Sequence, residues 1–145
     1  MSAGMVAAAL ELAAKGLPVL PLHSVGDDGR CTCLNKACSS VGKHPRTKHG
    51  HRDATTAREQ IVMWWNAKPL ANVGVRTGAG LIVLDIDPRN GGSETLIALR
   101  GQHGDLPETW TVETGGDGEH YYLDGEGDLP TRTGLFAGID LKGAG

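Results

Sequence analysis

The sequence predicts an α/β (α+β) domain built on a mixed sheet, and three observations carry that reading. Short apolar runs bounded by Gly, Pro and Asn alternate with amphipathic stretches of helical length. Gly accounts for 22 of the 145 residues and aromatic residues for only 4%, a balance that favours tight turns and hairpins over a helical bundle. Leu81-Ile82-Val83-Leu84-Asp85-Ile86-Asp87 has the pattern of a buried strand that ends in two carboxylates. A chain of 145 residues is long enough for one compact domain with a proper core.

The elements follow in order. Ser2 is placed to cap a helix running to about Lys15, with Gly16 as its stop. Leu17 to Leu22 reads as a short buried strand edged by Pro18 and Pro21. Residues 23–54 carry cysteines, histidines, glycines and basic residues without periodicity, and so long a loop needs something to organise it. Thr56 and Glu59 have the spacing of a capping box for a second helix. That helix carries Ile61, Val62, Trp64 and Trp65 and ends before Pro69, and the tryptophans fall at helical spacing suited to packing on a sheet. Val73–Arg76 and Leu81–Asp87 read as strands joined by the turn Thr77-Gly78-Ala79-Gly80. Ser93 is placed to cap a third helix, Trp110–Glu113 and His120–Leu123 form a hairpin, and Phe136–Leu141 is a last strand carrying Asp140.

The net charge of −3 hides a polarity along the chain. Arg30, Lys36, Lys43, Arg46, Lys48, Arg52 and Arg58 cluster in the first half, with His44, His49 and His51 among them, whereas acids dominate from Asp85 onward. Such a division suits a protein that holds a polyanion and binds metal; a solvated, charge-rich loop is the plainer alternative. No basic segment precedes the apolar stretch Met5–Ala14, as a signal peptide would require, and no run is long enough to span a bilayer. A soluble, cytoplasmic protein is expected.

Side chains at i and i+2 of a strand share a face, so Asp85 and Asp87 stand side by side while Ile86 points to the core. Adjacent carboxylates repel unless a cation lies between them, and hard oxygen donors suit Mg²⁺ or Mn²⁺. The alternative is a strand cap followed by a turn at Pro88. Cys31, Cys33, Cys38 and His44 supply three thiolates and an imidazole over a short span, a set that tetrahedral zinc favours in closed, structural sites. Zinc would organise the loop at about residues 27–52. His49, His51 or His23 can replace His44 as fourth ligand, and three free cysteines in a flexible loop are the alternative to a metal. In Thr114-Gly115-Gly116-Asp117-Gly118-Glu119-His120 the glycines allow close backbone approach and free N–H groups for phosphate oxygens, although many hairpins carry such a turn.

Taken together these segments resemble the N-terminal primase–polymerase domain of plasmid, phage and prophage replication proteins, a branch of the archaeo-eukaryotic primase superfamily. The resemblance runs through Gly16-Leu17-Pro18-Val19-Leu20-Pro21-Leu22, the cysteine cluster leading into Gly42-Lys43-His44-Pro45, and the Trp64-Trp65 helix. It continues through Asn72-Val73-Gly74-Val75-Arg76-Thr77-Gly78, Leu84-Asp85-Ile86-Asp87, Thr114 to His120, and Gly138-Ile139-Asp140-Leu141-Lys142-Gly143. It implies a mixed sheet of RNA-recognition-motif type joined to a smaller α/β unit, catalytic metal on Asp85, Asp87 and Asp140, and nucleotide phosphates on His120. The backbone of Gly115, Gly116 and Gly118 would steady those phosphates, Arg76 or Lys142 would assist, and Lys43, Arg46 and Lys48 would contact template phosphates.

The activity so implied is primer synthesis or extension on single-stranded DNA from NTPs or dNTPs by two-metal catalysis, with a helicase as a possible partner. The whole chain would be the catalytic domain, and its glycine-rich end after Asp140 leads us to expect a continuation beyond residue 145. Two other readings compete. One is a non-catalytic, zinc-stabilised module that binds single-stranded DNA. The other is a phosphatase of the haloacid-dehalogenase type, disfavoured because Arg89 stands where such enzymes usually carry Thr or Val, and because the acid pair lies mid-chain.

Overall fold

The structure, a computed structural model, describes residues 3–125 and 127–144. Ser2, the expected helix cap, and Gly145 lie outside them. The chain divides into two compact units, Met1–Arg76 and Thr77–Gly145.

In the first unit, α1 (Ala3–Ala14) and α2 (Arg58–Ala67) pack on a two-stranded antiparallel sheet of β1 (Val19–Leu22) and β2 (Asn72–Val75). Ala9 and Ala13, one turn apart, lie on the buried stripe of α1 and join Val19, Ile61, Trp65 and Ala71 in the core. Gly16 adopts φ 82° and ends α1. Leu17 N–H then reaches back to the Leu12 carbonyl (3.2 Å) and Gly16 N–H to that of Ala13 (2.9 Å), satisfying carbonyls the helix leaves free. Trp65 is 2% exposed, and its indole N–H donates to the Ala71 carbonyl at 3.0 Å, as a buried Trp requires. The tryptophans thus pack within the fold, as their spacing predicts.

The expected Thr56–Glu59 capping box does not form. Thr55 exchanges both backbone hydrogen bonds with Val19, and its hydroxyl accepts from Ala57 N–H at 3.1 Å. The chain is therefore committed before Thr56, and α2 starts at Arg58 with Ala57 as its N-cap.

The second unit is a five-stranded antiparallel sheet in the order β4-β5-β3-β7-β6, with α3 (Gly92–His103) packed against it. Its strands are β3 (Leu81–Ile86), β4 (Thr111–Glu113), β5 (Glu119–Asp124), β6 (Arg132–Phe136) and β7 (Ile139–Lys142). The β3–α3–β4 crossover has β5 slotted between its strands, a split β-α-β arrangement. Every strand pairing is antiparallel, where a mixed sheet was expected, because β5 and β7 take both sides of β3 and each runs against it. The α/β (α+β) class itself stands.

Occupation of both edges of β3 also explains why β2 and β3 are not a hairpin. β2 pairs with β1, and the linker is tied to the second unit's own residues. Ala79 N–H donates to Asp128 Oδ1 (2.6 Å), Gly125 N–H to the Gly80 carbonyl (2.6 Å), and Thr77 Oγ1 to the Gly143 carbonyl (2.8 Å).

The expected last strand, Phe136–Leu141, is two strands. Gly138 takes φ 72° in a tight turn, so Phe136 closes β6 and Ile139 opens β7 opposite it. Ser93 is not the cap of α3; that position falls to Gly91 at φ 84°, and Ser93 lies inside the first turn.

Gly92 and Gly138 meet at a crossing of three backbone segments. A Cβ on Gly92 would fall 2.7 Å from the Asp87 carbonyl and 2.8 Å from its nitrogen, and would collide with the Gly138 carbonyl. Gly101, further along α3, has nothing within 4 Å of an added Cβ. Gly92→Ala is expected to cost at least ~2 kcal/mol through overpacking, and Gly101→Ala to add about 0.5–1 kcal/mol through helix propensity. Denaturant unfolding of the two variants reads these opposite signs.

Candidate active site and metal centre

The alternation of β3 sorts its side chains between two environments. Ile86 packs with Leu96 of α3 and Ile139 of β7, joined by Leu84, Leu99, Leu106 and Tyr121. Asp85 points to the opposite face. In the ladder it stands opposite His120 on β5 and opposite Asp140 on β7, so one row across three strands reads His120–Asp85–Asp140. The same face carries Tyr122 and Lys142 one row along, and the Trp110 ring lies tilted against Tyr122 with centroids 5.2 Å apart.

Each acid in this region has defined partners. His120 Nε2 lies 3.4 Å from Asp85 Oδ1. Asp140 accepts from Gly134 N–H (2.7 Å) and from Lys142 Nζ (3.1 Å). Those contacts, Gly134 first and Lys142 after, hold its carboxyl below the usual range, although the negative charge of Asp87 works against them. Asp87 lies just beyond β3 and caps a 3-10 turn, Pro88–Asn90. Its carboxylate accepts from Arg89 N–H (3.0 Å), Arg89 Nε (3.3 Å) and Asn90 Nδ2 (2.7 Å). Burial pushes Asp87 upward, but the Asn90 and Arg89 donors outweigh it and the pKa is lowered. Backbone bonds from Asp87 N–H to the Gly138 carbonyl (2.8 Å) and from Gly92 N–H to the Asp87 carbonyl (2.9 Å) fix this acid to the β6–β7 turn and to the start of α3.

The glycine turn closes between Thr114 N–H and the Gly118 carbonyl (2.9 Å), with Asp117 at φ 61°. Gly118 has no room for a side chain, since a Cβ would lie 2.6 Å from the Ile86 carbonyl and 2.8 Å from Thr114 Oγ1. Gly116 packs against Arg89, whose Cζ and Nη2 would lie 3.3 Å from an added Cβ. Arg89 and Asn90 therefore belong to this region, and the sequence assigned neither of them to the site. The readable signal was Asp87-Pro88-Arg89-Asn90, an acid followed by Pro with donors two and three residues on.

In the first unit, the ligand atoms of Cys31, Cys33, Cys38 and His44 all lie within 4.8 Å of one another, positioned to bind a metal and compatible with structural zinc. His44 Nε2 is 3.4 Å from Cys31 Sγ and 3.6 Å from Cys38 Sγ. Of the alternative imidazoles, His23 Nδ1 contacts Thr32 Oγ1 (3.1 Å), His49 Nδ1 contacts Asp53 Oδ1 (3.1 Å), and neither they nor His51 join this group. The Gly42 N–H, 3.4 Å from Cys31 Sγ, is the leading cause that lowers this thiol to about 6. At Cys38 the Ser40 N–H pulls downward, but burial and the Cys33 and Cys31 sulfurs outweigh it and the thiol is raised.

The loop hangs on β1 through a bridge between Leu22 and Pro45 and through Arg46 N–H to the Pro21 carbonyl (2.9 Å). Asn72 of β2 donates to the carbonyls of His23 (3.2 Å) and Gly42 (2.9 Å). Of the three cations expected on template phosphates, Lys43 and Lys48 are exposed. The Arg46 guanidinium instead donates to the Leu22 carbonyl (3.1 Å) and to Thr32 Oγ1 (2.6 Å). Arg76 ends the first unit, its N–H donating to the Pro18 carbonyl at 2.9 Å.

Among the described residues, the Cys31–His44 group is the one set of three or more such ligands gathered within 4.8 Å. Asp85, Asp87 and Asp140 supply hard oxygen donors of the kind Mg²⁺ and Mn²⁺ take, but they are not drawn together to that degree. No helix among the described residues is long and apolar enough to cross a membrane.

An antiparallel sheet with acids and a histidine on one face and a helix on the other, in a chain whose Cys₃His loop is positioned to bind a metal, defines an α/β class of domain. The chain belongs to the bifunctional DNA primase/polymerase N-terminal family (Prim-Pol), whose profile matches residues 9–145. Membership implies DNA and nucleotides as substrates. No curated protein and no solved structure matches the chain.

Two outcomes follow. Metal analysis of the purified protein is expected to find one tightly held zinc, lost in His44→Ala and in Cys31→Ser at least ~10-fold more readily to a chelator. Both tyrosines are expected to ionise above the ordinary value. Tyr121 is raised first by its hydroxyl's bond to Glu119, and Tyr122 by burial. Stability from keeping these phenols neutral is present below about pH 10 and lost as pH rises through the folded-state values. Phenolate absorbance against pH, in native and denatured protein, measures the difference.

Proposed function

We propose that this chain is a DNA primase/polymerase nucleotidyltransferase that makes or extends primers on a single-stranded DNA template, in the cytoplasm and in replication of the plasmid or phage type. The observation that carries this reading is the His120–Asp85–Asp140 row with Asp87 two residues from Asp85, in a chain of the primase/polymerase family. Asp85, Asp87 and Asp140 are the carboxylates that would hold Mg²⁺ or Mn²⁺. When bound, such ions supply charge neutralisation on the triphosphate and alignment of the attacking hydroxyl.

The chain's own groups do the rest. His120 donates an imidazole N–H to phosphate oxygens from its place beside Asp85. The backbone of Gly115, Gly116 and Gly118 borders the same anion, and Lys142 adds positive charge. Lys43 and Lys48 contact template phosphates, giving affinity that falls with salt and ignores sequence. Arg46, engaged with Leu22 and Thr32, shapes the loop more than it grips DNA. Zinc in the Cys31, Cys33, Cys38 and His44 site is structural, and a helicase is the partner such a domain would serve.

A second reading has its own support. All three acids already hold donors from the protein, which also suits a module that binds single-stranded DNA without catalysis. Primer extension on a single-stranded template, with Mg²⁺ and with Mn²⁺, separates the two. Asp85→Ala combined with Asp87→Ala should reduce extension by at least ~100-fold while leaving DNA binding in place. Extension that survives the double substitution would end the catalytic reading. DNA binding without extension by the unaltered chain would put the binding module in its place.

A further inference from the structure

Each acid of the candidate site has a basic side chain beside it: His120 at Asp85, Lys142 at Asp140 and Arg89 at Asp87. The first two stand on strands. Arg89 sits on the turn after β3, with its side chain 74% exposed. Its guanidinium spans two features, reaching Asp87 Oδ1 with Nε at 3.3 Å while packing against Gly116 of the glycine turn. Asp87 does not depend on that side chain for its place. The Arg89 backbone N–H (3.0 Å) and the Asn90 amide (2.7 Å) approach it more closely.

We infer that Arg89 is a phosphate-binding residue of this site. It neutralises Asp87 while the acids stand alone, and turns to the phosphates of a nucleoside triphosphate when they lie against the Gly115–Gly116 turn. The inference rests on the reading of the three acids as a metal and nucleotide site. A guanidinium offers a planar fork that matches phosphate oxygens pairwise, which a lysine at the same place would not. An exposed side chain over a residue without a Cβ has freedom to make that turn. The same cation beside Asp87 opposes a metal ion there by charge repulsion, so its two roles have opposite signs.

That opposition is the test. With the zinc-loaded full chain, Mn²⁺ alone is titrated by the resonance signal of the free ion, and dATP with Mg²⁺ by calorimetry. Arg89→Ala should bind Mn²⁺ as tightly as the unaltered chain or up to about threefold tighter, while dATP weakens about tenfold; Arg89→Lys should recover part of the dATP binding. If Arg89 merely pins the turn, Arg89→Ala will weaken both ligands together and lower the unfolding temperature, which overturns the inference. Unchanged dATP binding in Arg89→Ala, with both ligands bound by the unaltered chain, overturns it alone. Failure of the unaltered chain to take up Mn²⁺ would instead remove the metal-site reading on which it rests.

Discussion

The ladder register of β3 against its two neighbours is the constraint on which the second unit depends. Asp85 is opposite His120 on one side and Asp140 on the other, and the same pairing sets Ile86 opposite Ile139 in the core. Because side chains alternate, a slip of one residue in either ladder would turn an acid inward and an isoleucine outward. Burying a carboxylate and exposing an aliphatic chain both cost free energy, so the packing against α3 that stabilises the sheet also selects the row of polar groups on its other face. Fold and candidate site are specified by the same alternation.

The glycines complete what the register begins. Gly92 and Gly138 let three backbone segments cross within a space that admits no Cβ, and two of the hydrogen bonds at that crossing belong to Asp87. This ties the acid after β3 to the turn before β7, so that Asp87 and Asp140 are held from a shared backbone junction and not by their side chains alone. Gly118 plays a comparable part for the β4–β5 turn, where the Ile86 carbonyl closes off the space a side chain would need.

Much of this was legible in the sequence where the signal was local. Asp85 with Ile86, and Asp140 with Leu141, alternate polar and apolar at the strand period, and Cys31, Cys33, Cys38 and His44 crowd into one loop. The α/β class, the packing of the tryptophans and the choice of acids for one face all follow from such patterns. What could not be read depended on residues distant in sequence. Val73–Arg76 and Leu81–Asp87 look like hairpin partners until β5 and β7 occupy both edges of β3. Thr56 and Ser93 are good caps by composition, but Thr55 is already bound to Val19 and Gly91 already turns the chain. Arg46 reads as a free cation until Leu22 and Thr32 are found to accept from it.

The Cys₃His loop has one more consequence, which concerns solubility. β1 is bordered by β2 on one side, and on the other by Thr55 opposite Val19 and Pro45 opposite Leu22. The segment running from His44 to Arg46 therefore serves as a guard along a strand edge, with His44, positioned to bind a metal, at its head. Exposed edges of apolar strands recruit other chains into intermolecular sheets. A metal bound by the cysteines and His44 would keep that guard in place, so its loss would show as self-association of the protein before any loss of its helices.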